Sequence, residues 1–268
     1  MILDYFNVRK LVVVATVAWV GSFQLWGQSV IRTSSTEKAV WQQSKDRLKS
    51  TAEVSPIFSI TGNEKGTEWK AWGTTFNELD WDALKQAGVT IAFIRVGYRG
   101  YGSEGKLVAD EMFQTHIEGA KAAGIKVGIY FYSQAISYEE GVEEAQFALN
   151  LASAYTLDMP VVIDTEEVYA DGARTADLSN DARTDGVVGF CETVKSAGYT
   201  PMIYSNRNWF VQKLDMTRLG DYKLWLAHYA NQPDFPYLYS GWQYTGTGTI
   251  AGIGQELDLN VWMEGSVY

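Results

Sequence analysis

The stretch Val161-Val162-Ile163-Asp164-Thr165-Glu166-Glu167 runs three apolar residues straight into a cluster of acids. A short β-branched run of this kind reads as a strand covered on both faces, as strands of parallel sheets are. Side chains two apart on a strand share a face, so Asp164 and Glu166 are expected to project together. Both stand where the strand runs out, which in a parallel barrel is the rim that carries active sites. Two acids held close cannot both ionise freely, and one is expected to keep its proton near neutrality. Glycosidic cleavage needs that asymmetry: one protonated carboxyl for the leaving oxygen and one carboxylate facing the oxocarbenium-like centre. A solvated acidic loop after a strand is the plainer alternative.

Outward from this stretch, apolar runs alternate with amphipathic segments. Residues 91–96 (IAFIRV) and 127–132 (VGIYFY) read as strands, with a helix between them over 110–123 that stops at Gly124. Ser137, with Glu140 three residues on, predicts a capped helix to about residue 154. Beyond the central stretch come a helix over 181–197 closed by Gly198 and a strand at 202–204. Late strands follow at 224–227, 241–244 and 257–261, with little room for helices between them. With a further strand near 67–72, about eight strands suffice for an irregular, TIM-like (β/α) barrel with fewer outer helices than strands. A doubly wound open sheet is the runner-up, but no Gly-rich phosphate loop follows any strand.

The chain has 268 residues, 46% hydrophobic and 20% charged, a composition for a folded domain rather than a disordered one. A net charge of −10 disfavours nucleic acid as a partner. Cys191 is the single cysteine, so no intrachain disulfide forms, and its helical setting reads as core. His116 and His228 are too few and too separated for a zinc motif; His116 is expected on a solvated helix face, and no metal or cofactor is expected.

Arg9 and Lys10 precede an uncharged run over residues 11–31. As a helix it spans about 31 Å, the thickness of a bilayer core. It is expected to be a membrane anchor (residues 1–31) with the remainder outside, or a signal peptide if cleaved. Residues 32–65 read as an extracytoplasmic stalk with a short helix around 39–48, and residues 66–268 as the barrel. That places the protein at the cell membrane with its catalytic domain extracytoplasmic, or secreted, and as a monomer.

A third acid, Asp258, interrupts the apolar strand Leu257-Asp258-Leu259-Asn260-Val261 and could pair with Arg95, which interrupts residues 91–96. A catalytic supporting role and a structural ion pair are equally weighted readings of it. Tyr130, Tyr132, Tyr204, Trp225, Tyr229, Trp242 and Tyr244 fall on or just after strands and could cover the apolar faces of sugars.

With these residues in place, the chain resembles the glycoside hydrolase family 25 muramidases, the Chalaropsis-type lysozymes. The likeness runs from about Gly66 to Trp262 through Asp80-Trp81, Ile94-Arg95-Val96-Gly97-Tyr98, Val127-Gly128-Ile129-Tyr130-Phe131-Tyr132, Asp164-Thr165-Glu166, Met202-Ile203-Tyr204-Ser205-Asn206, Trp225-Leu226-Ala227, Trp242-Gln243-Tyr244 and Asp258-Leu259-Asn260. The resemblance implies hydrolysis of the β-1,4 bond between N-acetylmuramic acid and N-acetylglucosamine in peptidoglycan strands, without a cofactor. It implies Glu166 as general acid, Asp164 and Asp258 as supporting carboxylates, and Arg95 and Tyr98 beside the strand tyrosines and tryptophans as substrate contacts. The family's first strand carries an active-site aspartate in Gly-Ile-Asp-Val-Ser. Matching Gly66 to that glycine puts Glu68 in its place, whereas matching Phe76-Asn77 to the aromatic pair that follows puts Trp72 there. This departure leaves a non-catalytic glycan-binding protein as the alternative; a chitin-directed barrel ranks last.

Overall fold

The computed structural model describes residues 48–60, 79–230, 233–248, 250 and 257–266. The elements are β1 (Leu48–Ile60), α1 (Trp81–Gln86), β2 (Ile91–Arg99), β3 (Leu107–Ala109), α2 (Phe113–Ala122), β4 (Lys126–Tyr132) and α3 (Tyr138–Ala152). They continue with β5 (Val161–Asp164), α4 (Asn180–Ser196), β6 (Pro201–Asn206), α5 (Arg207–Gln212), β7 (Lys223–Ala227), β8 (Gly241–Gly248) and β9 (Leu257–Ser266).

These strands form one mixed sheet in the order β1-β9-β8-β7-β6-β5-β4-β2-β3, and β1 pairs with β2 as well. The sheet therefore curls round into a barrel-like α/β fold. Neighbours from β2 through β4, β5, β6 and β7 to β8 are parallel, as the alternation of strands and helices predicts. The last strand breaks the pattern: β9 runs antiparallel to both β8 and β1.

Strand β1 corrects the expected domain boundaries. Residues 48–60 belong to the sheet, not to a stalk: Ile57–Ile60 lie parallel to Ile91–Ile94, while Ser59 faces Asp258 across an antiparallel ladder. The strand expected near residues 67–72 lies outside the described residues. Pairing on both sides satisfies the backbone groups of β1 whatever its side chains, so polar composition did not preclude a strand. Glu68 and Trp72, the anchor at 1–31 and the rest of the stalk lie outside the described residues. Among the described residues no helix is long and apolar enough to cross a membrane.

Period-two alternation divides the strand side chains between two cores. Val127, Ile129, Phe131, Val161, Ile163, Ile203, Leu224 and Leu226 face outward beneath the helices. Ile91, Phe93, Tyr130, Val162, Met202, Trp225 and Trp262 fill the interior of the curl. Helices α3 and α4 meet with their backbones nearly touching, and glycine makes this contact feasible. A Cβ on Gly141 would stand 2.0 Å from the Gly186 carbonyl oxygen, and one on Gly189 would stand 2.2 Å from that of Tyr138. Ser137 caps α3 as predicted, accepting from the Glu140 N–H. His116 corrects the sequence reading: it is fully buried on α2, edge-on to Trp81 with ring centroids 5.9 Å apart. Cys191 is core, as expected.

Candidate active site

Each parallel strand delivers its last inward-facing residue to the same open end of the curl. β5 contributes Asp164, which is 7% exposed, with Oδ1 buried and without a hydrogen-bond partner among the described residues. Beyond it the chain continues the ladder for one step, the Thr165 N–H donating to the Tyr204 carbonyl at 3.1 Å. The Thr165 side chain points outward, its Oγ1 accepting from the Trp209 indole at 3.3 Å, so alternation returns Glu166 to the side of Asp164. Asp258 reaches the same end on β9, its backbone opposite Ser59.

The three acids feel one another strongly. Burial, then the charge of Asp258, pushes Glu166 up to about 7. Burial, then Glu166, raises Asp164 well above the carboxylate range; the Arg95 guanidinium counteracts and Asp258 adds to it. Buried carboxylates that raise one another's affinity for protons through a desolvated pocket hold a proton near neutrality. Asp164, Glu166 and Asp258, the acids singled out in the sequence, thus influence one another electrostatically.

Aromatic hydroxyls enclose the cluster. Tyr132, Tyr204 and Tyr229 all stay protonated, their acidity suppressed first by burial and then by the neighbouring carboxylates. Tyr204 and Tyr229 both donate to Oε1 of Gln243, at 2.7 and 2.8 Å. Below them the Trp225 ring packs edge-on against Tyr204 at 4.8 Å and tilts against Phe93 at 4.9 Å, forming the floor. Tyr130 is in that floor too, with little exposure. Tyr98 lies under the Arg95 guanidinium, 5.5 Å from ring centre to Cζ.

One expectation needs correction. Trp242 packs in the outer core and donates its indole N–H to the His228 carbonyl, because on β8 the inward position belongs to its neighbour Gln243. Arg95 makes a 2.7 Å ion pair with Asp110, whose carboxylate is almost fully buried at the end of β3. Gln243, Asp110 and Asn260 were missed as site residues. Alternation would have found Gln243, since it lies between two aromatics that face the other way. Asp110 has no such signal, since its partner is fixed by the β2–β3 hairpin. No group of three or more metal-ligating side chains occurs among the described residues.

Behind the site wall lies a buried ionic network. Arg99, at 4% exposure, donates to Glu144 at 2.8 Å, to Glu143 at 3.0 Å and to the Gly105 carbonyl at 2.9 Å. Arg174 binds Glu140 at 2.7 Å and the Gln134 carbonyl at 3.2 Å. Together they tie the loops after β2, β4 and β5 to α3.

A barrel-like α/β sheet with paired carboxylates and tyrosines at its strand ends defines the molecule as one of the glycoside hydrolase class. The sequence profile of Glycosyl hydrolases family 25 matches residues 71–253, and the chain belongs to that family. It is 29% identical over 188 residues to an autolytic lysozyme of Clostridium acetobutylicum, covering 70% of this chain and 53% of that protein. It is 24% identical over 215 residues to lysozyme M1 of Streptomyces globisporus, covering 75% and 68%. The fold is shared with the modular autolysin LytC of Streptococcus pneumoniae (TM-score 0.62, 23% identity, 78% of this chain and 47% of that one). It is shared also with the Streptomyces coelicolor lysozyme (TM-score 0.61, 22% identity, 79% and 93%). The chain thus spans about half the length of the first of these curated relatives.

Proposed function

We propose that the protein is a peptidoglycan muramidase that cleaves the β-1,4 bond between N-acetylmuramic acid and N-acetylglucosamine. The observation that carries this reading is the carboxylate group at the open end of the sheet, with Glu166 raised to about 7 beside Asp164 and Asp258. Family membership and the lysozyme names of the relatives support it.

In this reading Glu166, half-buried and able to meet a substrate, donates its proton to the glycosidic oxygen as the bond to the anomeric carbon breaks. Asp164 and Asp258 supply negative charge toward the oxocarbenium-like centre, and a carboxylate accepts the proton of the water that completes hydrolysis. Arg95, fixed by Asp110, biases Asp164 toward its charged form. Tyr204 and Tyr229, oriented by Gln243, are placed to hydrogen-bond sugar hydroxyls or N-acetyl groups. The uncharged run at residues 11–31 behind Arg9 and Lys10 supports export, with the barrel acting outside the membrane.

The test is release of reducing ends and muropeptide fragments from purified peptidoglycan by the full-length chain, read by mass spectrometry. Glu166→Gln should lower turnover by about 10²–10⁴ with the fold intact. Binding to peptidoglycan without any turnover by the unsubstituted chain would overturn the proposal.

A further inference from the structure

One buried charge has no part in the chemistry described so far. Arg183, near the start of α4, is only 5% exposed. Its guanidinium donates to carbonyls instead of a carboxylate, to Leu178 at 3.0 Å and Thr175 at 3.3 Å. Its Nε is buried with no hydrogen-bond partner among the described residues. Burial favours the neutral form of Arg183, and the charge of Glu167 counteracts this. An ion enclosed in this way is costly, and an apolar side chain of similar length would fill the space without that cost.

The guanidinium rests on the Trp209 ring, 4.4 Å from Cζ to the ring centre, where the indole quadrupole attracts a cation. Trp209 in turn donates its indole N–H to Oγ1 of Thr165 at 3.3 Å. Thr165 stands between Asp164 and Glu166 and is tied through its backbone as well. Its N–H donates to the Tyr204 carbonyl, and its own carbonyl accepts from the Ser205 hydroxyl. Arg183, Thr165 and Glu166 line one small cavity between α4 and the ends of β4 and β5, together with Gln134 and Thr175. There the Thr175 hydroxyl donates to Gln134 at 2.9 Å, so the loop held by Arg183 is joined to the end of β4.

Resting on the muramidase reading, we infer that Arg183 is a positioning residue that acts through Trp209 to fix Thr165, and so to aim the two carboxylates flanking it. Side chains alternate along a strand, so its end cannot turn at Thr165 without turning Asp164 and Glu166 as well. The bonds to Leu178 and Thr175 hold the guanidinium over the indole and close the loop after Glu166 onto α4. Arg183 works at second hand, because burial and Asp258 raise Glu166, not the Arg183 charge. The two modes of action carry opposite signs. Removing a cation that acted directly would raise Glu166 further, whereas loosening its seat admits water and lowers it.

The experiment compares the full-length chain with its Arg183→Met, Arg183→Lys and Trp209→Phe variants. It measures kcat and KM on purified peptidoglycan, and follows the Glu166 titration by carbon-13 carboxyl NMR, with Glu166→Gln to assign the signal. Arg183→Met should lower kcat about 10- to 100-fold, the scale of an ångström of misplacement, with KM changed less than about twofold. The Glu166 midpoint should fall below its value of about 7. Trp209→Phe keeps a ring but loses the donor, and should reproduce both effects. Arg183→Lys keeps a cation over the ring and should restore most of kcat. Should Arg183→Met fail to fold, Trp209→Phe decides by the same two readings. A lower melting temperature with kcat and midpoint unchanged would overturn the proposal and leave Arg183 a structural residue. So would a midpoint that rises, or a Trp209→Phe variant that behaves like the unsubstituted chain. If the unsubstituted chain cuts nothing while the midpoint still falls in the variants, the muramidase reading fails and the positioning role stands.

Discussion

The Trp225 indole N–H donates to Oδ1 of Asn260 at 2.8 Å, joining β7 to β9 through the interior of the sheet. Asn260 lies two residues beyond Asp258 on the same inward face, so this bond fixes the height at which Asp258 meets the other acids. Asn260→Ala leaves the buried indole donor without a partner and should cost about 1–3 kcal/mol of stability. Turnover should fall further than stability explains, because Asp258 loses its footing; equal losses in urea melts and kcat would argue against the positioning role.

Glu166 must carry its proton to act as an acid, and it is raised to about 7. Activity should therefore decline as pH rises through that value, giving an alkaline limb in kcat/KM. Asp258 contributes to the shift by like charge, so Asp258→Asn should move the limb to lower pH. A limb that stays in place in this variant would remove Asp258 from the pocket's electrostatics.

Arg99 is buried among three glutamates, and its removal strands Glu144, which is wholly buried. Arg99→Ala should destabilise the fold by about 3–5 kcal/mol at pH above about 8. Burial raises Glu144 from 4.5 to about 7 despite Arg99. Since this folded value lies above the unfolded one, stability linked to Glu144 is complete below 4.5 and is lost as pH rises through about 7. The deficit of the variant should accordingly shrink on acidification across that window. Thermal melts at several pH values read this directly, and a deficit independent of pH would count against a charged Glu144 as its source.

Much of this architecture is written in apolar periodicity. Val161 to Asp164, Lys126 to Tyr132 and the Ser137 cap fall where pattern and capping rules put them, because burial on both faces leaves continuous apolar runs. The carboxylate pair was legible for the same reason, since one strand step fixes which way two neighbours point. β1 was not legible: LKSTAEVSPIFSI contains lysine, glutamate and proline, and its place depends on ladders to strands distant in sequence. Trp242 was misassigned because aromatic content was weighed without asking which face of β8 it occupies. The tie from Arg95 to Asp110 depends on a hairpin that composition does not announce.

The antiparallel pairing of β1 with β9 has a practical corollary. Residues 48–60 and 257–266 flank the segment recognised by the family profile, 71–253, and they clasp each other at Ser59 and Asp258. A truncation beginning after residue 60 would unzip this seam, leaving two raw strand edges ready to stick to neighbouring molecules and one acid of the trio without its scaffold. Expression fragments should begin upstream of Leu48, or they will report on a broken vessel instead of the enzyme.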